Sequence, residues 1–215
     1  MEREAEIRRA AMVERQLAGR GICDPQVLRA MREVPREAFV PEALAASAYD
    51  DSPLPIDEGQ TISQPYIVAL MIEAASPEAG DRVLEVGAGS GYAAAVLSRI
   101  AGTVFAIERH ATLAEAARRR LEDLGYDNAH VISGDGSGGL PGEAPFDAIL
   151  VAARSTDVPM ALKRQLRVGG RLVIPVGGGD MQSLQRIERT GEEAWETQDL
   201  LPVRFVPLVD GSGDG

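Results

Sequence analysis

The chain has 215 residues, a formal net charge of −11 and one cysteine, Cys23. That length suits one domain able to bury most of its apolar surface without staples, and a lone cysteine excludes an intrachain disulfide. The acidic balance argues against a life on nucleic-acid backbones, residues 1–9 are too charged for a signal peptide, and no apolar run nears the ~20 residues that cross a bilayer. A cytoplasmic protein is the expectation. Cys23 reads as a small buried or semi-exposed side chain rather than a nucleophile, because neither His110 nor His130 sits in a recognisable partner motif.

Residues 7–17 carry Ile7, Ala11, Val13 and Leu17 at helical spacing, and Gly19 to Gly21 should end that helix. Asp24-Pro25 reads as an N-cap followed by proline at the first helical position, opening a helix with Val27, Leu28, Met31 and Val34 inward. Pro35, Pro41, Pro53 and Pro55 mark a stretch that is mostly loop. A third helix should follow Ser63-Gln64-Pro65, with Ile67, Leu70, Met71 and Ala74 on its buried side. Arg118-Arg119-Arg120 point in different directions on a helix and read as a solvated face.

From Asp81 onward short apolar runs alternate with helical patterns. Strands are expected at 82–86, 103–107, 130–133, 146–151 and 171–176. Helices are expected at 92–100, 111–124 and 160–166. Continuous apolar strands alternating with amphipathic helices mean a doubly wound, mostly parallel α/β sheet, Rossmann-like, covered on both faces. After Gly177-Gly178-Gly179, segments 182–188 and 194–197 should form a hairpin about Thr190-Gly191, followed by an extended segment at 200–209. The organisation is one domain over 1–209: a substrate-side region at 1–80, a cofactor-binding core at 81–177, antiparallel strands at 178–209, and a disordered acidic tail at 210–215.

Gly87-Ala88-Gly89-Ser90-Gly91 falls between a predicted strand and a predicted helix, where glycines let the backbone turn tightly beside a ligand. A dinucleotide fold wants G-x-G-x-x-G, but the spacing here is G-x-G-x-G, with Tyr92 next and Glu85 just before. S-adenosyl-L-methionine carries an ammonium and a sulfonium, so carboxylates suit it better than a bare anion-binding turn does. Glu108, with Arg109 beside it, ends the second strand about 20 residues on, where an acidic group meets ribose hydroxyls. The plainer alternative is a carboxylate near a helix start. Gly134-Asp135-Gly136 follows the third strand; Asp135 is either a partner for the adenine amino group or a simple turn residue. The predicted site looks poor in general bases. That is compatible with a carboxylate acceptor, which is already ionised at neutral pH and needs only positioning and desolvation.

Several segments together resemble the protein-L-isoaspartate (D-aspartate) O-methyltransferase family. They include Val34-Pro35-Arg36-Glu37-Ala38-Phe39-Val40-Pro41, Gly59-Gln60-Thr61-Ile62-Ser63-Gln64-Pro65-Tyr66, and Leu201-Pro202-Val203-Arg204-Phe205-Val206-Pro207-Leu208, and the likeness runs over residues 12–209. The resemblance implies methylation of the free carboxylate of isoaspartyl residues in damaged proteins, starting repair through a succinimide. It implies partners that are isoaspartyl proteins and peptides, a monomer, and neither metal, nucleic acid nor membrane. It assigns Ser63 to the active site, orienting the acceptor carboxylate; spacing alone favours Ser63 as the cap of the helix that follows, and both roles can hold. Gln64 is expected beside the cofactor, and Thr61, Ile62, Tyr66, Val203, Arg204 and Val206 beside the substrate. The 203–207 segment reads as a substrate clasp or as a plain edge strand, where prolines are tolerated. Two departures bear on peptide preference: Arg154, where the family has small residues, and the absence of an aromatic after Gly136. Rival readings are a carboxyl methyltransferase for one dedicated peptide and a non-catalytic S-adenosylmethionine-binding adaptor.

Overall fold

The structure, a computed structural model, describes residues 2–208, so the predicted tail and the end of the last extended segment lie outside the described residues. The first helix, α1 (Glu2–Met12), starts earlier than the apolar spacing suggests and runs on as a π-turn at Val13–Leu17. Left-handed Gly21 closes it. Asp24 does cap α2 (Pro25–Glu33): its side chain accepts from the Gln26 and Val27 amides. The proline-rich stretch then forms single helical turns and a small hairpin of β1 (Leu54–Pro55) with β2 (Thr61–Ile62).

In α3 (Pro65–Ala75) the core face is Val68, Ala69, Met71, Ile72 and Ala75, so the face expected from Ile67, Leu70 and Ala74 is corrected. Those three are half-buried. The helix is apolar nearly all round, and spacing alone cannot choose a side in such a helix.

Seven strands follow: β3 (Arg82–Val86), β4 (Thr103–Glu108), β5 (Ala129–Ser133), β6 (Phe146–Val151), β7 (Leu166–Val176), β8 (Gln182–Gly191) and β9 (Ala194–Val203). Between them lie α4 (Tyr92–Ser98), α5 (Ala111–Asp123) and α6 (Met160–Arg164). The sheet order is β5-β4-β3-β6-β7-β8-β9, parallel through β7, with β8 and β9 antiparallel. The chain winds outward from β3 to β5, then returns to β6 on the other side. That reversal opens a crevice beyond the carboxyl ends of β3 and β6.

Alternation along the strands builds two apolar layers. Ala148 and Leu150 of β6 join the layer formed with α2, α3, α4 and α5, while Ile149 and Val151 join the opposite one with Leu162 of α6.

Several boundaries differ from the sequence reading, the end of α4 at Ser98 rather than 100 among them. Strand β7 starts at Leu166, not 171, so α6 ends two residues short of the expected 166. Gly169 and Gly170 read as a break but form an irregular stretch of the strand: Gly169 is left-handed, and a Cβ on Gly170 would lie 3.0 Å from the Phe146 and Asp147 carbonyl oxygens. The hairpin turn is Glu192-Glu193, two residues past the expected Thr190-Gly191, and Gly191 pairs with Ala194. Finally, 194–197 and the start of 200–209 fuse into one strand that leaves the sheet after Val203.

Candidate active site

A cavity of about 640 Å³ opens beyond the carboxyl ends of β3, β4 and β6. Its floor is the glycine turn after β3. Gly87, Gly89 and Gly91 all adopt positive φ, which side-chain-bearing residues rarely tolerate. The turn is tied to β4 by the Gly87 and Ala88 amides, which donate to the Ile107 carbonyl at 2.8 and 3.0 Å. Glu108 adds a second tie, accepting from the Gly89 amide at 2.8 Å and the His110 amide at 3.0 Å. It is therefore a buried brace of the loop, not a surface carboxylate, and it still faces the cavity.

Glu85 supplies the clearest electrostatic signal. It is 2% exposed, lines the cavity, and its Oε2 is buried without a hydrogen-bond partner. Burial, and then the charge of Glu108, push its carboxyl up to about 8, against a hydrogen bond from the Ala94 backbone. Such a group takes up a cation readily, because a positive charge beside it restores the ionised form. The ammonium of S-adenosylmethionine is a cation of that kind, so the orphaned oxygen fits that ligand. Asp135 sits at the same end and accepts from the Ser137 amide at 2.8 Å, so it makes the turn and faces the cavity together. Arg109, His110 and Gly136 complete this end. Gly136 leaves room that matters: a Cβ there would lie 2.6 Å from Val86 Cγ1.

The other end of the cavity is built from Thr61, Ile62, Ser63 and Gln64 on one side and residues 202–208 on the other. Gln64, not Ser63, is the N-cap residue of α3, and no side chain caps that helix. Ser63 is therefore a cavity residue and not a cap. Gln64 donates to the Asp51 carbonyl at 3.1 Å, which ties the start of α3 to the preceding loop. Among the described residues, this end contributes no histidine or carboxylate to the wall.

Two expected site residues stand apart. Tyr66 is outside the cavity wall, because the helix turns its ring toward Arg20, whose guanidinium stacks 3.7 Å from the ring centroid while pairing with Asp51. Gly91 is also outside: its Cβ position faces α5, 3.3 Å from Ala117 Cβ, so its glycine serves helix packing. Thr61, Ile62, Ser63, Gln64, Glu85, Gly87, Gly89, Glu108, Arg109, Asp135, Gly136, Val203, Arg204 and Val206 all line the cavity. Arg154 is not in the wall. Its backbone holds residues 206–208 in place, with the Arg154 amide donating to the Val206 carbonyl at 2.8 Å and the Leu208 amide to the Arg154 carbonyl at 2.7 Å.

The sequence reading missed Ala152, Ala153 and Met181 as lining residues. The first two directly follow β6, and position at the carboxyl edge of the sheet was the available signal. Met181 ends the glycine run after β7.

The sheet order, the glycine turn at the switch point and the buried carboxylates at the carboxyl ends of β3 and β4 define a class: the Rossmann-like methyltransferase fold. Within it, the model of the protein-L-isoaspartate(D-aspartate) O-methyltransferase family matches residues 7–213. A protein-L-isoaspartate O-methyltransferase of Methylorubrum extorquens is 62% identical over 205 residues, covering 95% of this chain and 90% of that protein. One from Pelobacter propionicus is 58% identical over 98% of this chain and 94% of its own length. A solved protein-L-isoaspartate O-methyltransferase superposes with a TM-score of 0.84 at 31% identity, covering 95% of this chain and 67% of that one. A Plasmodium falciparum structure described as a putative member, in complex with S-adenosyl-L-homocysteine, gives 0.81 at 27% identity, covering 94% and 98%. The chain belongs to the protein-L-isoaspartate(D-aspartate) O-methyltransferase family.

Proposed function

We propose that the chain transfers a methyl group from S-adenosylmethionine to the free α-carboxylate of L-isoaspartyl residues in damaged proteins. The observation that carries this reading is one continuous cavity with carboxylates at one end and Thr61, Ile62 and Ser63 at the other. The cofactor supplies a methyl group activated by a sulfonium. Glu85 would meet the cofactor's ammonium, its own carboxyl proton passing to solvent. Glu108 holds the glycine turn and would offer its remaining lone pairs to ribose hydroxyls. Asp135 and Gly136 would border the base, with Arg109 and Gln64 beside the cofactor.

On the acceptor side, the Ser63 hydroxyl donates to the substrate carboxylate and fixes its aim. Thr61, Ile62, Val203, Arg204 and Val206 hold the flanking backbone. A carboxylate is ionised at neutral pH, so no residue need remove a proton. Ile62, Val203, Phe205 and Leu208 give this end an apolar wall, and apolar surroundings lessen the solvation of the nucleophile. The methyl ester then has a good leaving group. The next backbone nitrogen attacks it, methanol departs, a succinimide forms, and water opens the ring to aspartyl or isoaspartyl.

One chain supplies the whole wall, so the working unit in this reading is a monomer, with residues 1–209 acting together. The net charge of −11 supports protein substrates over nucleic acid. Among the described residues no helix is long and apolar enough to cross a membrane. The test is the fate of an isoaspartyl peptide held with the protein and S-adenosylmethionine in ¹⁸O water. Aspartyl peptide carrying one ¹⁸O, with methanol released, is the expected product. A peptide that stays isoaspartyl and unlabelled, or ends as a stable ester, overturns the reading.

A further inference from the structure

We propose that Gln182 is a positioning residue for the acceptor: it pins the strap at 204–208 to the glycine loop after β7. The inference rests on the proposed methyl transfer for its functional meaning, but its structural content stands separately.

Gln182 opens β8 opposite Val203 of β9 and is 3% exposed. Both ends of its amide are used. The Nε2 group donates to the Gly179 carbonyl at 2.8 Å, and Oε1 accepts from the Phe205 amide at 2.9 Å. The two partners belong to different segments beside one cavity, and of the two only Phe205 lines it. Gly179 lies in the loop that brings Met181 to the cavity, and Phe205 lies in the strap.

That loop needs a pin. Gly177 and Gly179 have positive φ, and a Cβ on Gly178 or Gly179 would touch nothing within 4 Å. A run of glycines with so little packing loses much conformational entropy on ordering, and a buried hydrogen bond offsets that. On its other side the strap is tied by backbone hydrogen bonds to Arg154, a link that no side-chain change removes. Arg204 Nε to Met181 Sδ, at 3.5 Å and exposed, is a second and weaker tie between loop and strap. Gln182 is thus the buried side-chain link between the two segments. Asparagine has the same donor and acceptor but is one methylene shorter. Methionine has similar length and no amide.

The test uses the full chain with Gln182→Met and Gln182→Glu. In the methionine variant, KM for an isoaspartyl peptide should rise about tenfold, since an acceptor must then order the strap as it binds. The Kd for S-adenosylhomocysteine should stay within about twofold, because the hydrogen bonds of Gln182 run to Gly179 and Phe205, both away from the cofactor end. Hydrogen exchange at the Phe205 amide should speed by about tenfold or more. The glutamate variant keeps the acceptor for Phe205 but faces the Gly179 carbonyl with a second acceptor. It should retain Phe205 protection and show an intermediate KM, and it carries the test if the methionine variant does not fold. Wild-type KM and wild-type Phe205 exchange in the methionine variant overturn the proposal. So does a parallel loss of kcat, cofactor affinity and thermal stability in both variants, which marks a general packing role. If the wild-type protein fails to methylate the peptide, the proposed function falls, while Phe205 exchange still reports on the pin.

Discussion

Glu85→Gln should abolish the pH dependence of cofactor binding near neutrality. The carboxyl of Glu85 titrates at about 8 in the protein against 4.5 ordinarily, a displacement that corresponds to about 5 kcal/mol of disfavoured ionisation. At pH 7 the group is roughly tenfold more protonated than ionised. Binding a ligand ammonium requires the carboxylate, so one proton leaves as the ligand arrives. The Kd for S-adenosylhomocysteine should fall about tenfold per pH unit between pH 6 and 7. It should level above about pH 8, where Glu85 is already ionised in the free protein. Calorimetry in buffers of different ionisation enthalpy counts that proton directly. Wild type should release about one more proton than Glu85→Gln at pH 6.5, a difference that cancels contributions common to both proteins. Equal proton counts in the two proteins would refute the assignment of Glu85 to the ammonium. The same shift sets the stability of the unliganded protein. The folded state holds an extra proton between about pH 4.5 and 8, so this group's stabilising contribution is full below the window and fades as pH rises through it. Glu85→Gln should therefore flatten the fall in Tm between pH 6 and 8.

Three further outcomes follow from the contacts. Ser63→Ala should cut kcat by about tenfold or more with cofactor Kd and Tm nearly unchanged, since Ser63 caps nothing; a drop in Tm of several degrees would contradict this. Glu108→Ala leaves the Gly89 and His110 amides without their partner, and should lower stability by about 2–4 kcal/mol in urea unfolding while weakening the cofactor. Gly136→Ala brings a methyl against Val86 at 2.6 Å, and should lose about 1–3 kcal/mol of stability by the same measurement, whereas Gly138→Ala, with open space around it, should lose little.

The alternation of 81–176 was legible because buried parallel strands are continuously apolar and their helices are not. The strand 146–151 and the cap at Asp24 came out of the residues alone, since each rests on local chemistry. Legibility failed where long-range contacts decide. The buried face of α3 is set by what packs on it, and Gly169-Gly170 precedes the expected strand although it belongs to β7, where the register with β6 shifts. At the site, the glycine spacing and the carboxylates at 85 and 108 pointed to the right edge of the sheet. Spacing did not reveal that Gly91 serves α5, that Tyr66 turns to Arg20, or that Gln182 joins two segments. Those facts depend on which way a side chain points once distant segments meet.

The central claim is that this cavity aims a methyl group at an isoaspartyl carboxylate. The most direct measurement gives the protein labelled S-adenosylmethionine and two peptides of one sequence, one isoaspartyl and one aspartyl. Base-labile methyl groups on the isoaspartyl peptide alone are the predicted result; equal labelling of both peptides, or none of either, would contradict it.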